Sequence, residues 1–174
     1  MKTKILLSSI IQCLLITSCN HFYSDKKLTF PRTDYIGNEI NTDGYYYRII
    51  ENNRIDFCFF YNNGTVLSAG TFSYSNMNDA EAEMVKNISK IKNKKSNWGI
   101  FIIEGNRILH ERWQPSFIGY SFIIRRDYGN IENDTTIHFT ESYNSETKET
   151  FVNDYFCHFK QFDHKPDSTN TFIK

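Results

Sequence analysis

The residues best placed to do chemistry lie on one hairpin. Gly105-Asn106 is a two-residue link of types that tolerate positive φ, which tight hairpins require. Such a turn pairs Glu104 with Arg107, and hence Ile100 with Glu111 and Trp98 with Trp113. Directly paired residues share a face of the sheet. One face then carries Trp98, Ile100, Ile102, Leu109, Glu111 and Trp113, and the other carries Phe101, Ile103, Ile108, His110 and Arg112. The first face is expected to look inward, since two indoles, three aliphatics and a single carboxylate are the composition of a small-molecule pocket with one orienting polar group. Trp98, Glu111 and Trp113 are therefore the candidate ligand-binding residues. The same residues also fit a solid core in which Glu111 pairs with a basic residue such as Arg48 or Arg125, because a buried carboxylate needs a partner. A slip of one residue in register would exchange the faces and bring His110 and Arg112 inside.

Other chemistries have less support. There is no Gly-x-Ser-x-Gly elbow, and the histidines at 21, 110, 138, 158 and 164 sit in no recognised catalytic context, so no catalytic residue is assigned. His110-Glu111 lacks the second histidine of a zinc-protease helix. His138 and His158 can approach across the last hairpin, but no third ligand accompanies them, and neither a metal nor another cofactor is called for. Glu111, Glu141 and several aspartates meeting inside a barrel would be the one route to an enzyme, a hydrolase with buried acids. Tyr45, Tyr46, Tyr47 and Phe60 are of a type that stacks on sugars or bases, yet alternating aromatics on strands usually serve as core.

The elements that must position these residues follow from short β-branched and aromatic runs separated by Asn, Gly and Asp. Strands are predicted at residues 44–50, 55–61, 65–74, 98–104, 107–113, 120–126, 135–143 and 150–162. Asn52-Asn53, Asn63-Gly64 and Gly105-Asn106 are tight links that make neighbours antiparallel. One helix interrupts the series near Asn78 and Asp79, with Glu81 and Glu83 early and five lysines from Lys86 to Lys95 late, an order that complements the helix dipole. Met84, Val85, Ile88 and Ile91 form its narrow apolar stripe, suited to lying on a sheet. The predicted fold is all-β: an eight-stranded antiparallel meander barrel with one helix between strands 3 and 4, closure being the simplest way to remove sheet edges. An open curled sheet packed on the helix is the alternative.

The chain has 174 residues, with 20 Lys and Arg against 20 Asp and Glu. A mean hydropathy of -0.52 and 16% aromatic residues describe one polar domain with enough apolar surface for a core. Zero formal charge argues against nucleic-acid binding through a basic field. Lys2 and Lys4 precede an apolar stretch from Ile5 to Ile16 that is shorter than the ~20 residues a bilayer span needs, which is the pattern of a secretory signal. The stretch ends in Ile16-Thr17-Ser18-Cys19, which resembles the lipobox of bacterial lipoproteins; the resemblance implies that Cys19 becomes the lipidated first residue and ties the protein to a membrane. The expected organisation is a signal at residues 1–18, a lipidated N-terminus and tether at 19–42, the barrel at 43–163 and a tail at 164–174. The outer membrane is favoured, with the leaflet left open. Cys58 and Cys157 then sit in an oxidising compartment, as a disulfide or as separate buried thiols.

The segment Trp98-Gly99-Ile100-Phe101-Ile102-Ile103-Glu104-Gly105-Asn106-Arg107, continued by Glu111, Trp113, Gln114 and Pro115, and the ending His158-Phe159-Lys160-Gln161-Phe162 resemble the lipocalin-like lipoproteins of the gram-negative cell envelope. The resemblance implies a meander barrel with an internal ligand, and no particular activity. The helix position and the missing Gly-x-Trp signature on the first strand depart from true lipocalins. The expected function is binding of a small hydrophobic or amphipathic molecule, with a structural or interaction subunit of an outer-membrane complex as the alternative.

Overall fold

The computed structural model of the chain describes residues 25–117, 119 and 121–174. The signal segment and Cys19 lie outside the described residues. Eight strands run in order around a closed barrel: β1 Gly44–Ile50, β2 Arg54–Phe60, β3 Thr65–Ser73, β4 Trp98–Glu104, β5 Arg107–Pro115, β6 Phe122–Asn133, β7 Thr136–Asn144 and β8 Glu149–Gln161. Every neighbouring pair is antiparallel, and β8 closes on β1 through four residue pairs from Gly44 with Gln161 to Tyr47 with His158. Asn52 and Asn53 in the β1–β2 link and Gly105 in the β4–β5 link have positive φ, as their residue types foretold. Pairing of Glu104 with Arg107 and Ile100 with Glu111 follows the register read from the sequence.

The helix, α1 Met77–Lys92, joins β3 to β4. Asn76 caps it by accepting the Asp79 backbone N–H at 3.0 Å, and Lys90 and Lys92 occupy the last turn. Its buried residues are Ala80, Met84 and Ile91, so the apolar stripe runs one position round from the expected one and leaves Val85 exposed. This stripe packs with Tyr45, Phe57, Leu67 and Trp98 in one of two apolar clusters. The other cluster joins Tyr46, Phe60, Val66, Phe101, Ile108, Ile137 and Phe139.

These two clusters lie on opposite sides of the barrel wall. A cavity bounded by Tyr46 and Arg48 of β1, Cys58 and Phe60 of β2, Ser68 of β3, His110 and Arg112 of β5, Asp127 of β6, Phe139 of β7 and Tyr155 and Cys157 of β8 is the lumen. The residues alternating with these therefore point outward, among them Tyr45, Phe57, Leu67, Trp98, Glu111 and Trp113. The expectation that the tryptophan face of the β4–β5 hairpin looks inward is corrected: the register holds, but the faces are exchanged. Outer apolar residues are buried because other parts of the chain cover them. α1 covers β1 to β4, and Leu28, Phe162, Phe172 and Ile173 from the two terminal segments complete the cover.

The segment expected as a tether is laid on the barrel from residue 25 onward. Lys26 N–H donates to Phe122 O at 3.0 Å, Tyr35 N–H to Asn62 O at 2.7 Å and Asn41 N–H to Asp134 O at 3.1 Å. Gly64, with φ of 76°, lets this strap pass, since a Cβ there would stand 1.9 Å from the Thr33 carbonyl oxygen. Tyr35 and Ile40 then pack into the lumenal cluster, where Tyr35 lies 5.4 Å from the Phe101 ring. The tail also docks, and Lys165 Nζ donates to Phe60 O at 2.6 Å.

Cys58 and Cys157 are both free. β1 stands between their strands, about 9–10 Å from side to side, and Cys157 lies two residues along β8 from Phe159, which shares Tyr46 as partner with Cys58, so the Cα atoms are well beyond the ~7 Å limit for a disulfide. Peptide mapping of the unreduced, denatured protein is expected to show both cysteines fully alkylated. A Cys58–Cys157 crosslinked peptide would contradict the register of β1 against both neighbours.

Candidate functional site

β-strand alternation sets which side chains reach the lumen, and chaining the registers collects its charges. Arg48 and Asp56 are partners across β1–β2, His110 and Asp127 across β5–β6, Arg112 and Arg125 likewise, and Asp127 and Ser142 across β6–β7. Together they make one polar region against an otherwise apolar lumen. The cavity there measures about 320 Å³, at the small end of ligand sites. Ser96 and Asn97, in the single 3-10 turn before β4, and Thr71 at the end of β3 lie at its border.

Each carboxylate in it is held. Arg48 meets Asp56 through Nη2 at 2.8 Å and Nε at 2.9 Å, and its guanidinium stacks 4.2 Å over the Tyr155 ring. Asp127, 4% exposed, accepts Arg125 Nε at 3.0 Å and the Ser142 hydroxyl. Burial works against the Asp127 charge, but the guanidinium groups of Arg112 and Arg125 and the Ser142 hydroxyl outweigh it and hold the carboxyl below its ordinary value. Beside it, His110 is 6% exposed, and its Nε2 has no hydrogen-bond partner among the described residues. Burial pushes His110 down to about 4, with the Asp127 charge only partly opposing, so the ring is neutral at pH 7. Burial also pushes both lumenal thiols up, Cys157 to about 12, which leaves them without nucleophilic character.

The three residues predicted to bind ligand share the outer surface, and none lines the lumenal cavity. Trp98 has no exposure; it donates Nε1 to Lys92 O at 2.7 Å and stacks on Tyr61 at 6.2 Å. Trp113 donates Nε1 to Lys26 O at 2.8 Å, and Lys95 Nζ lies 4.8 Å over its ring. Glu111, also without exposure, accepts Arg126 Nε at 2.9 Å and the backbone N–H groups of Thr29 at 2.7 Å and Phe30 at 3.2 Å. The partner is thus Arg126, on the same outer face, where Arg48 and Arg125 stand inside. Glu141 is exposed on the outer face as well, so of the glutamates and aspartates expected inside the barrel neither glutamate enters it; the lumenal acids are Asp56 and Asp127. Phe156 stacks between His138 at 4.1 Å and His158 at 6.5 Å, which separates that pair. No group of three or more His, Cys, Asp or Glu is arranged to hold a metal among the described residues.

The lumenal residues Arg48, Asp56, His110, Arg112, Arg125 and Asp127 were not singled out as a site from the sequence. The sequence carried no complete signal for this set: the β1–β2 link spans three residues rather than the two that Asn52-Asn53 suggests, which decides that Arg48 and Asp56 share a face, and β3 reaches β4 through α1, so no tight turn carries a face from one half of the barrel to the other. The architecture defines a closed eight-stranded antiparallel meander barrel with a polar internal cavity. Comparison with protein-family models, with curated proteins and with solved structures found no match for the chain.

Two outcomes are expected. Arg126→Met leaves Glu111 buried with only its two backbone N–H partners, Thr29 and Phe30, and should cost about 3 kcal/mol in urea unfolding, with faster amide exchange at residues 26–30; adding Glu111→Gln, which removes the charge while its amide oxygen still accepts from both N–H groups, should recover most of it. Failure of the double variant to recover would contradict the ion pair as the cause. For His110, the unfolded ring takes its proton near 6.5 and the folded one near 4, so the unfolded chain binds more protons in between. Stability is full above pH 6.5 and should fall by up to about 3 kcal/mol as the pH drops toward 4. Urea midpoints for His110→Asn should lack that slope, while the Asp127 contribution is lost only below the ordinary carboxylate range.

Proposed function

We propose that the chain is a lipid-anchored envelope protein, lipocalin-like in family, whose barrel lumen holds one small amphipathic molecule. The observation that carries this reading is the lumenal cavity, which sets aromatic walls from Tyr46, Phe60, Phe139 and Tyr155 beside a buried histidine nitrogen with no partner. An interior meant only as core would fill that space with apolar side chains, since an unsatisfied buried polar group costs about 1–3 kcal/mol. The ligand-binding role passes from Trp98, Glu111 and Trp113 to the lumenal residues, and the outer trio serves to hold the strap and helix. The lumenal thiols are protonated and the lumenal carboxylates of Asp56 and Asp127 are each held by an arginine, which favours a binding role over catalysis. The lipobox-like Ile16-Thr17-Ser18-Cys19 supports anchoring through Cys19, with the outer membrane as the favoured site.

A second reading, an interaction subunit of an envelope complex, is favoured by one observation. β8 exposes Phe151, Val152 and Phe156 at 47%, 89% and 45%, more apolar surface on one strand than a strand facing only water needs. Native mass spectrometry of residues 20–174, purified gently from an envelope-like extract and compared with the denatured mass, separates the two. A reproducible non-covalent adduct of small-molecule mass is expected. A bare monomer that instead co-purifies with a membrane protein would replace the first reading by the second.

A further inference from the structure

The charged groups of the lumen do not cancel. Arg48, Arg112 and Arg125 face Asp56 and Asp127, and His110 is neutral at pH 7, so the cavity carries one positive charge in excess. Two of these arginines are each tied along their Nε–Nη2 edge. Arg48 gives both Nε and Nη2 to Asp56. Arg125 gives Nε to Asp127 at 3.0 Å and Nη2 to Ser142 at 2.8 Å.

Arg112 differs. Its one polar approach among the described residues is Nε to Asp127 at 3.7 Å, beyond hydrogen-bond range. It also stands directly across from Arg125, a like-charge pairing that destabilises a sheet unless an anion lies between. Asp127 fills that role only in part: Arg125 and Ser142 both hold its Oδ1, while its Oδ2 stands 3.7 Å from Arg112 Nε, close enough to attract it and too far to take its proton. The Arg112 side chain lines the cavity and keeps 26% exposure, so its planar fork remains open to a ligand.

We propose that the lumen selects a molecule with one acidic group, a carboxylate or sulfonate, on a flat apolar body. The acid is taken by the Arg112 guanidinium, and the body rests against Tyr46, Phe60 and Phe139. The inference deepens the lumenal-ligand reading and rests on it.

The test uses two probes of one shape. 8-Anilinonaphthalene-1-sulfonate carries the anion, and N-phenyl-1-naphthylamine is the same body without it. Their fluorescence is titrated into residues 20–174, which keep every described residue. The sulfonate is expected to bind at least about tenfold more tightly than the neutral probe, the usual worth of a hydrogen-bonded charge. Arg112→Gln should lose about that factor for the sulfonate and leave the neutral probe unchanged, and Arg112→Lys should fall between. Asp127 keeps Arg125 and Ser142 in both variants, and a melting curve that remains a single cooperative transition checks the fold. Ser68→Phe, which fills the cavity, should abolish binding of both probes. Equal affinity of the two probes with no effect of Arg112→Gln would overturn the acid preference while leaving a lumenal ligand in place. Sulfonate binding that survives Ser68→Phe would place the probe outside the barrel and overturn the assignment. If neither probe binds and denaturation releases no molecule, the lumenal reading itself fails and the acid preference falls with it.

Discussion

Glu111 points away from the barrel axis yet has no exposure, because residues 26–30 lie across it and spend two backbone N–H groups on its carboxylate while Arg126 supplies the charge. A carboxylate shut off from water requires those partners, and each of them belongs to the outside of the wall. The same strap brings the Lys26 carbonyl to the Trp113 indole N–H and Leu28 into the outer apolar cluster. Once the strap is tied there, the outer surface of β4 and β5 is a core in its own right. A barrel ordinarily alternates apolar inside with polar outside; here a second apolar layer outside leaves room for polarity within.

That division governs the stability as well as the site. Each buried indole contributes roughly 4–6 kcal/mol of gross burial, and both stand outside the lumen, under α1 and the strap. The inner apolar cluster fills the part of the lumen into which Tyr35 and Ile40 pack. The remaining space tolerates three arginines, two aspartates and a neutral histidine because the ion pairs share hydrogen bonds with Ser142 and stack on Tyr155.

Much of this was legible from residue types. β1 and β4 have the bounds that their aromatic and β-branched runs predict, and Gly105-Asn106 sets the β4–β5 register that the structure contains. β6 runs seven residues past its expected end because Asp127, Gly129 and Asn130 read as turn formers, whereas they pair with β7 through two bulges, one at Thr140 of β7 and one at Glu132 of β6. Inside and outside were not legible on the hairpin, since both of its faces are apolar. What decides between them is distant in sequence: a strap some eighty residues upstream that hydrogen-bonds Glu111, and an α1 stripe turned toward Leu67 and Trp98. Local alternation gives two faces and no sign.

The central claim is that the tryptophan and Glu111 face is outside and the arginine face inside. Nuclear Overhauser effects of the two indole N–H protons in isotope-labelled protein test it without any ligand. The account predicts cross-peaks from the Trp113 indole to Lys26 and from the Trp98 indole to Lys92, with none from either to Cys58, Phe139 or Cys157. Cross-peaks joining those indoles to Phe139 or Cys157 would put the tryptophans in the lumen and contradict the site, its charge and the strap together.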